Sequence, residues 1–162
     1  MNYLIFIPAR GGSKTVKNKN LKKIKNKPLI FYTLKTALEI KKRINSDIFV
    51  STDSKKILNF CKKNLKLDNY LRPKKLSKDN SLVIDAVFHC INYQKKLKKK
   101  YKSIILLQPT SPIRKIDEIM RAIKFYEKKN CKSLMSVCHV REHPNEVINV
   151  KKNFKWEFLK KN

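Results

Sequence analysis

Leu4-Ile5-Phe6-Ile7-Pro8-Ala9-Arg10-Gly11-Gly12-Ser13-Lys14 decides how this chain folds. Four apolar residues in a row, closed by a proline, read as a strand buried on both faces rather than a half-exposed one. Two more runs of that kind follow. Ile48-Phe49-Val50 is stopped by Ser51-Thr52-Asp53-Ser54, and Ile104-Ile105-Leu106-Leu107 by Gln108-Pro109-Thr110-Ser111-Pro112.

Helical spacing fills the gaps. Pro28 suits a helix start ahead of Leu29, Ile30, Leu34, Ala37 and Leu38. The Ser51–Ser54 cluster is placed to cap a helix with Ile57, Leu58 and Cys61 on one face. Asp79-Asn80-Ser81 is predicted to cap a helix carrying Val83, Ile84, Val87, Phe88 and Ile91, and Asp117 to Lys129 is amphipathic. Further short strands are expected at Tyr70-Leu71, at Leu134–Val137, around Val147–Val150 and around Phe154–Phe158, with a polar basic loop from Ala9 to Lys27. Strands alternating with helices predict an α/β fold: a mainly parallel sheet with helices on both sides, as one domain over residues 1–162. Ligands of such folds bind outside the carboxyl ends of the strands, so Ala9–Asn20, Ser51–Ser54 and Gln108–Ser111 should converge there.

Composition narrows the chemistry. Of 162 residues, 41% are hydrophobic, enough for a core despite the charge. Forty Lys+Arg against 12 Asp+Glu give a net charge of +28, which favours anionic partners. Arginine, the better residue for base readout and bidentate phosphate binding, occurs only at 10, 43, 72, 114, 121 and 141. The lysines are scattered, without interleaved aromatics, which reads as a solvated basic surface rather than a nucleic-acid face. Glycine occurs twice, where average usage would give about eleven. A three-glycine dinucleotide fingerprint is therefore excluded. Ser13-Lys14-Thr15 imitates the end of a phosphate-binding Walker loop, but Pro8 and Ser13 stand where that loop needs glycine.

No secretory leader or membrane-length apolar run is visible, and a cytoplasmic location is expected. Cys61, Cys90, Cys131 and Cys138 form no C-x-x-C pair and read as reduced, mostly buried thiols. Cys131 and Cys138 with His139 and His143 fit no common zinc spacing.

Both glycines sit together, at Gly11 and Gly12, ringed by Arg10, Lys14, Lys17 and Lys19. Their survival in so glycine-poor a chain points to positive φ or to close approach of a ligand. Main-chain amides among cations make a phosphate cradle.

The stretch Ile7–Lys14, followed by Lys19-Asn20-Leu21 and Lys27-Pro28-Leu29-Ile30, resembles the start of the acylneuraminate cytidylyltransferases, or CMP-sialic acid synthetases. Val50-Ser51-Thr52-Asp53, Arg72-Pro73 with Leu76-Ser77 and Asp79, Leu106–Pro112 with Arg114, then Ser133–Val137 and His143-Pro144 continue the likeness in order. The resemblance implies a three-layer, Rossmann-like nucleotide-diphospho-sugar transferase fold. It also implies activation of a nine-carbon acidic sugar (sialic, legionaminic or pseudaminic type) by CTP, giving a CMP-sugar and pyrophosphate.

Carried over by position, Arg10 and Lys19 would be catalytic. Arg10, Gly11, Gly12, Ser13, Lys14, Asn20, Arg72 and Ser81 would bind the nucleotide, and Gln108 the sugar. Thr15, Val83 and Glu146 depart from the usual family residues: glycine, a second nucleotide-contacting hydroxyl, and in some members a basic residue.

Family members run well beyond residue 162, so the chain is expected to be C-terminally truncated. The late D-x-D pair that binds Mg²⁺ would lie past Asn162, and Asp53 and Asp79 read as turn or cap residues rather than replacements. A dimerisation region would begin near 140–162, implying a homodimer when complete. Nucleotide binding and turnover by these residues alone are expected to be weak. The other readings are a basic domain that binds polyanions or nucleic acid, and a non-catalytic partner of a full-length paralogue.

Overall fold

The computed structural model describes residues 2–13, 16–65, 67 and 70–137, and the strands 148–150 and 156–158. The chain divides into two compact units, 1–123 and 124–162.

The first unit is built on β1 (Tyr3–Pro8), flanked by β4 (Ser46–Ser51) and β5 (Ser103–Leu106) in the order β4-β1-β5. Both pairings are parallel, with Ile5 opposite Ile48 on one side and Ile105 on the other. The apolar run of β1 is explained by its central place. Tyr3, Ile5 and Ile7 point to one face and pack with Ile30, Leu34, Ala37 and Ile40 of α1 (Leu29–Arg43) and Ile57 and Cys61 of α2 (Lys55–Asn64). Leu4 and Phe6 point to the other face, where α3 (Val83–Lys96) supplies Ala86, Val87 and Cys90. Strand alternation thus serves two cores at once, and every side chain from Leu4 to Ile7 is at most 1% exposed. Phe6 stacks on Phe49 of β4, with ring centroids 6.3 Å apart.

α1 starts directly after Pro28, as its sequence predicts, and gathers Lys41, Lys42 and Arg43 in its last turn, where cations suit the helix dipole. Ser54 caps α2 by accepting from the Ile57 amide at 3.4 Å. The predicted loop from Ala9 to Lys27 is more ordered than its polarity suggests. It holds a 3-10 turn at Lys19–Leu21 and a small hairpin, β2 (Lys23–Ile24) with β3 (Lys27–Pro28). Lys25 and Asn26 turn that hairpin with φ of 46° and 62°, the two positive values a tight two-residue turn requires.

Among the described residues three expectations change. Tyr70-Leu71 is not a strand. One bond, from the Arg72 amide to the Thr52 carbonyl, ties that segment to the end of β4, while Tyr70 sits in a ring cluster with Phe49 and Tyr93. Asp79-Asn80-Ser81 does not cap α3. Leu82 holds the cap position without a side-chain bond, because Ser81 donates its hydroxyl to the Lys75 carbonyl at 3.1 Å and Asp79 pairs with Arg10. On α3 itself, Val83, Ile84 and Phe88 are exposed, so its buried stripe is narrower than the spacing suggests.

The second unit contains the end of α4 (Ile116–Lys128) and an antiparallel pair, β6 (Ile148–Val150) with β7 (Trp156–Phe158). Leu134–Val137, apolar enough for a strand, belongs to no sheet, because an apolar run becomes a strand only where a neighbouring ladder accepts it. Among the described residues no helix is long and apolar enough to cross a membrane.

Candidate active site

Chain order reverses between β1 and β5: β4 was laid on one side of β1, and β5 returns to the other. Side connections diverge at such a point and leave a crevice at the carboxyl ends of the strands. A cavity of about 330 Å³ lies there, of the size that takes a small molecule. Pro8, Arg10, Gly12 and Ser13 form one wall with Lys19 and Asn20 from the 3-10 turn. Arg72 and the segment from Leu76 to Val83 form the second, and Gln108, Pro109 and Thr110 after β5 the third.

Of the residues singled out from the sequence, Arg10, Gly12, Ser13, Lys19, Asn20, Arg72, Ser81 and Gln108 all face this one cavity. Their numbers span almost a hundred positions, so their meeting is a product of the fold. Gly11 does not line it, and Lys14 and Thr15 lie outside the described residues.

The loop after β1 is held from two sides. Asn20 is buried and donates its amide Nδ2 to the Arg10 carbonyl at 2.9 Å. The Gly11 amide donates to Asp53 Oδ1 at 2.8 Å. Neither glycine has positive φ, so that reason for glycine here is set aside. The close approach concerns the protein itself: a Cβ on Gly11 would meet the Ser54 Cβ at 2.9 Å. Gly12 has nothing within 4 Å of where a Cβ would stand and opens onto the cavity. Ser51–Ser54 was expected among the ligand loops. It instead lies behind them and supports two of the walls, through Asp53 to Gly11 and through the Thr52 carbonyl to the Arg72 amide at 2.7 Å.

Arg10 reaches across the cavity to Asp79 Oδ1 at 3.0 Å and the Lys78 carbonyl at 3.2 Å. Arg72 is 6% exposed and donates Nε to Ser77 Oγ at 3.1 Å. Burial holds its guanidinium below the ordinary arginine pKa, and the attraction of Asp53 works against that. A buried cation facing a crevice acts on an anion through fewer water molecules than a surface lysine does. Gln108 is exposed and its Oε1 accepts from Thr110 at 3.5 Å. Arg114 ties this loop down, donating to the Gln108 carbonyl and, at 3.2 Å, to Thr33 Oγ1 of α1.

The sequence reading missed Lys78 and Leu82 as lining residues; Pro109 and Thr110 belong to the Gln108–Ser111 cluster it placed at the strand ends, and Leu76 was signalled only by its motif. Lys78 and Leu82 carried no signal, because a lysine and a leucine beside a helix start look alike whether or not they border a crevice. Both carboxylates weighed as metal ligands already have donors, Asp53 from Gly11 and Asp79 from Arg10. Among the described residues no three His, Cys, Asp or Glu side chains gather where a metal ion could sit. Asp53 and Asp79 are thus engaged within the protein rather than grouped as a pair for Mg²⁺, and the zinc spacing at 131–143 falls largely outside the described residues.

An open parallel sheet with a cation-lined crevice at its switch point defines a Rossmann-like α/β protein. Residues 4–159 match the family model described as cytidylyltransferase, and the chain belongs to that family. It is 36% identical over 145 residues to a CMP-N,N'-diacetyllegionaminic acid synthase of Legionella pneumophila, covering 90% of this chain and 61% of that protein. It is 34% identical over 148 residues to an N-acylneuraminate cytidylyltransferase of Escherichia coli O18:K1:H7, covering 90% and 33%. A pseudaminic acid cytidylyltransferase of Campylobacter jejuni is 29% identical, over 84% of this chain and 58% of its own length. The chain therefore spans between a third and about three-fifths of these relatives. A solved CMP:2-keto-3-deoxy-manno-octonic acid synthetase complexed with CTP shares the fold, with a TM-score of 0.64 at 20% identity, over 80% of this chain and 49% of that one.

Proposed function

We propose that the cavity at the ends of β1 and β5 holds CTP, and that this chain is the nucleotide-binding part of an enzyme that joins CMP to an acidic nine-carbon sugar. The observation that supports this most is the meeting of Arg10, Lys19, Arg72, Ser81 and Gln108 in one crevice of a cytidylyltransferase-family chain. In the reaction the sugar's anomeric oxygen attacks the α-phosphorus, the bond to the β-phosphate oxygen breaks, and pyrophosphate leaves. The residues' part is positioning and charge neutralisation. Arg10 and Lys19 face the developing negative charge. Gly12 and Ser13 offer main-chain and hydroxyl donors to the phosphates, Arg72 and Ser81 hold the nucleotide's other end, and Gln108 meets the sugar. On this reading Arg10 exchanges Asp79 for phosphate when the nucleotide enters. By the same family reading the complete protein is a cytoplasmic homodimer.

Titration calorimetry with CTP tests this. Saturable binding that falls about tenfold or more in Arg72→Ala is expected, since hydrogen bonds to charged groups contribute about 1.5–3 kcal/mol. Binding of any nucleotide or DNA alike, with steep loss in salt and no response to Arg72→Ala, would instead make the chain a general polyanion binder.

A further inference from the structure

A carboxylate at the foot of a phosphate-binding loop is electrostatically unfavourable, since it repels the ligand the loop attracts. The chain has only 12 acidic residues, yet Asp53 stands there, half-buried, with Oδ1 2.8 Å from the Gly11 amide. Gly11, like the buried Ala9, does not line the cavity, while its neighbours Arg10, Gly12 and Ser13 do. The loop is thus attached through the Ala9 amide, which donates to the Ser51 carbonyl at 2.9 Å, and the Gly11 amide, while Gly12 and Ser13 border the crevice.

Three further contacts fix the place of attachment. The Ser54 amide donates to Thr52 Oγ1 at 3.1 Å, closing the turn that presents Asp53. Ser54 packs so tightly against Gly11 that no Cβ fits between them. The Thr52 carbonyl accepts the Arg72 amide. The three residues after β4 therefore hold both the loop after β1 and the buried arginine of the facing wall.

We infer that Asp53 is a positioning residue: its carboxylate oxygen, by accepting the Gly11 amide, sets the 9–13 loop in the shape that meets phosphate. The inference rests on the nucleotide reading of the cavity for its ligand, but the attachment can be read without ligand. The acceptor matters and the charge does not, so Asp53→Asn preserves the function and Asp53→Ala removes it.

The experiment follows exchange of the Gly11 amide hydrogen by NMR in the full chain without nucleotide, alongside CTP affinity, for the wild type and both variants. Thermal melts confirm that each variant is folded. Gly11 should be protected in the wild type and in Asp53→Asn, and exchange at least tenfold faster in Asp53→Ala. CTP affinity should stay within threefold in Asp53→Asn and fall about tenfold in Asp53→Ala, the loss of the hydrogen bond that sets the loop. Equal protection of Gly11 in the wild type and Asp53→Ala would overturn the inference. So would an affinity in Asp53→Asn as poor as in Asp53→Ala while its Gly11 stays protected. If no form binds CTP but the protection pattern holds, the nucleotide reading fails and the attachment stands.

Discussion

Two cavities of the first unit have the same volume, about 330 Å³, and differ in where on the sheet they lie. The first lies where loops leave β1 and β5 and is walled by Arg10, Lys19, Arg72 and Lys78. The second runs along β4 at the sheet's margin, between Leu4, Phe49, Val50, Leu58, Leu65 and Tyr70. Among its polar groups are Lys41 and Asn64 and a set that pairs internally: Tyr101 donates to Asp47 at 2.7 Å, with Gln94 Oε1 3.4 Å from the same hydroxyl, and Lys99 lies 3.9 Å from Asp47. Size alone therefore says little. Loops at strand ends can aim charge into a crevice without weakening the core, whereas side chains along a strand are committed to packing.

Substitutions should separate the two sharply. Phe49→Ala removes a ring stacked on Phe6 and packed against Tyr70 and Tyr93. A loss of about 3–5 kcal/mol of stability is expected by denaturant melt. CTP affinity measured below the melt should be unchanged; a selective loss of affinity would erase the distinction between the cavities.

Gly11→Ala comes next, because its Cβ would overlap the Ser54 Cβ at 2.9 Å. Overpacking of this kind costs about 1–3 kcal/mol. Gly12→Ala, with open space around it, should leave the melt unmoved and act on nucleotide affinity alone. Similar melts for the two variants would contradict this packing.

The smallest effect concerns His89, which meets the Tyr70 hydroxyl beside the second cavity. Burial, then Lys75 and Lys96, hold its pKa below the ordinary 6.5. The unfolded chain then binds the proton more readily, so stability is present above pH 6.5 and lost as pH falls through that value. Melts at pH 7.5 and 5.5 should differ by less in His89→Gln than in the wild type. An equal difference would remove His89 as the cause.

What could be read from the sequence follows from how local each signal is. β1, β4 and β5 were legible because each carries an unbroken apolar run; burial on both faces explains the run at Leu4–Ile7, whereas β5 is only half-buried and its Leu106 is exposed. Arg10, Gly12, Ser13 and Gln108 were legible because they sit in short motifs directly after two of those runs, whereas Arg72 and Ser81 were reached through the resemblance of their motifs. Cys61 and Cys90 are buried, as the sequence suggested, and burial pushes both thiols up to about 12, so neither is a ready nucleophile. The misses depend on distant partners. Ser81 looks like a helix cap until the Lys75 carbonyl is seen to accept its hydroxyl, and Tyr70-Leu71 looks like a strand although the bond to Thr52 beside it is made by the Arg72 amide. Asp53 looks like a turn residue because its partner, Gly11, lies 42 positions away.

The central claim is that the crevice bounded by Arg10, Gly12, Ser13 and Arg72 takes the phosphates of a cytidine nucleotide. A crystal of this chain grown with CTP tests it most directly. The account predicts triphosphate density against Gly12 and Ser13, with Arg10 turned from Asp79 toward it. A nucleotide seated along β4 in the second cavity, or none in either, would contradict it.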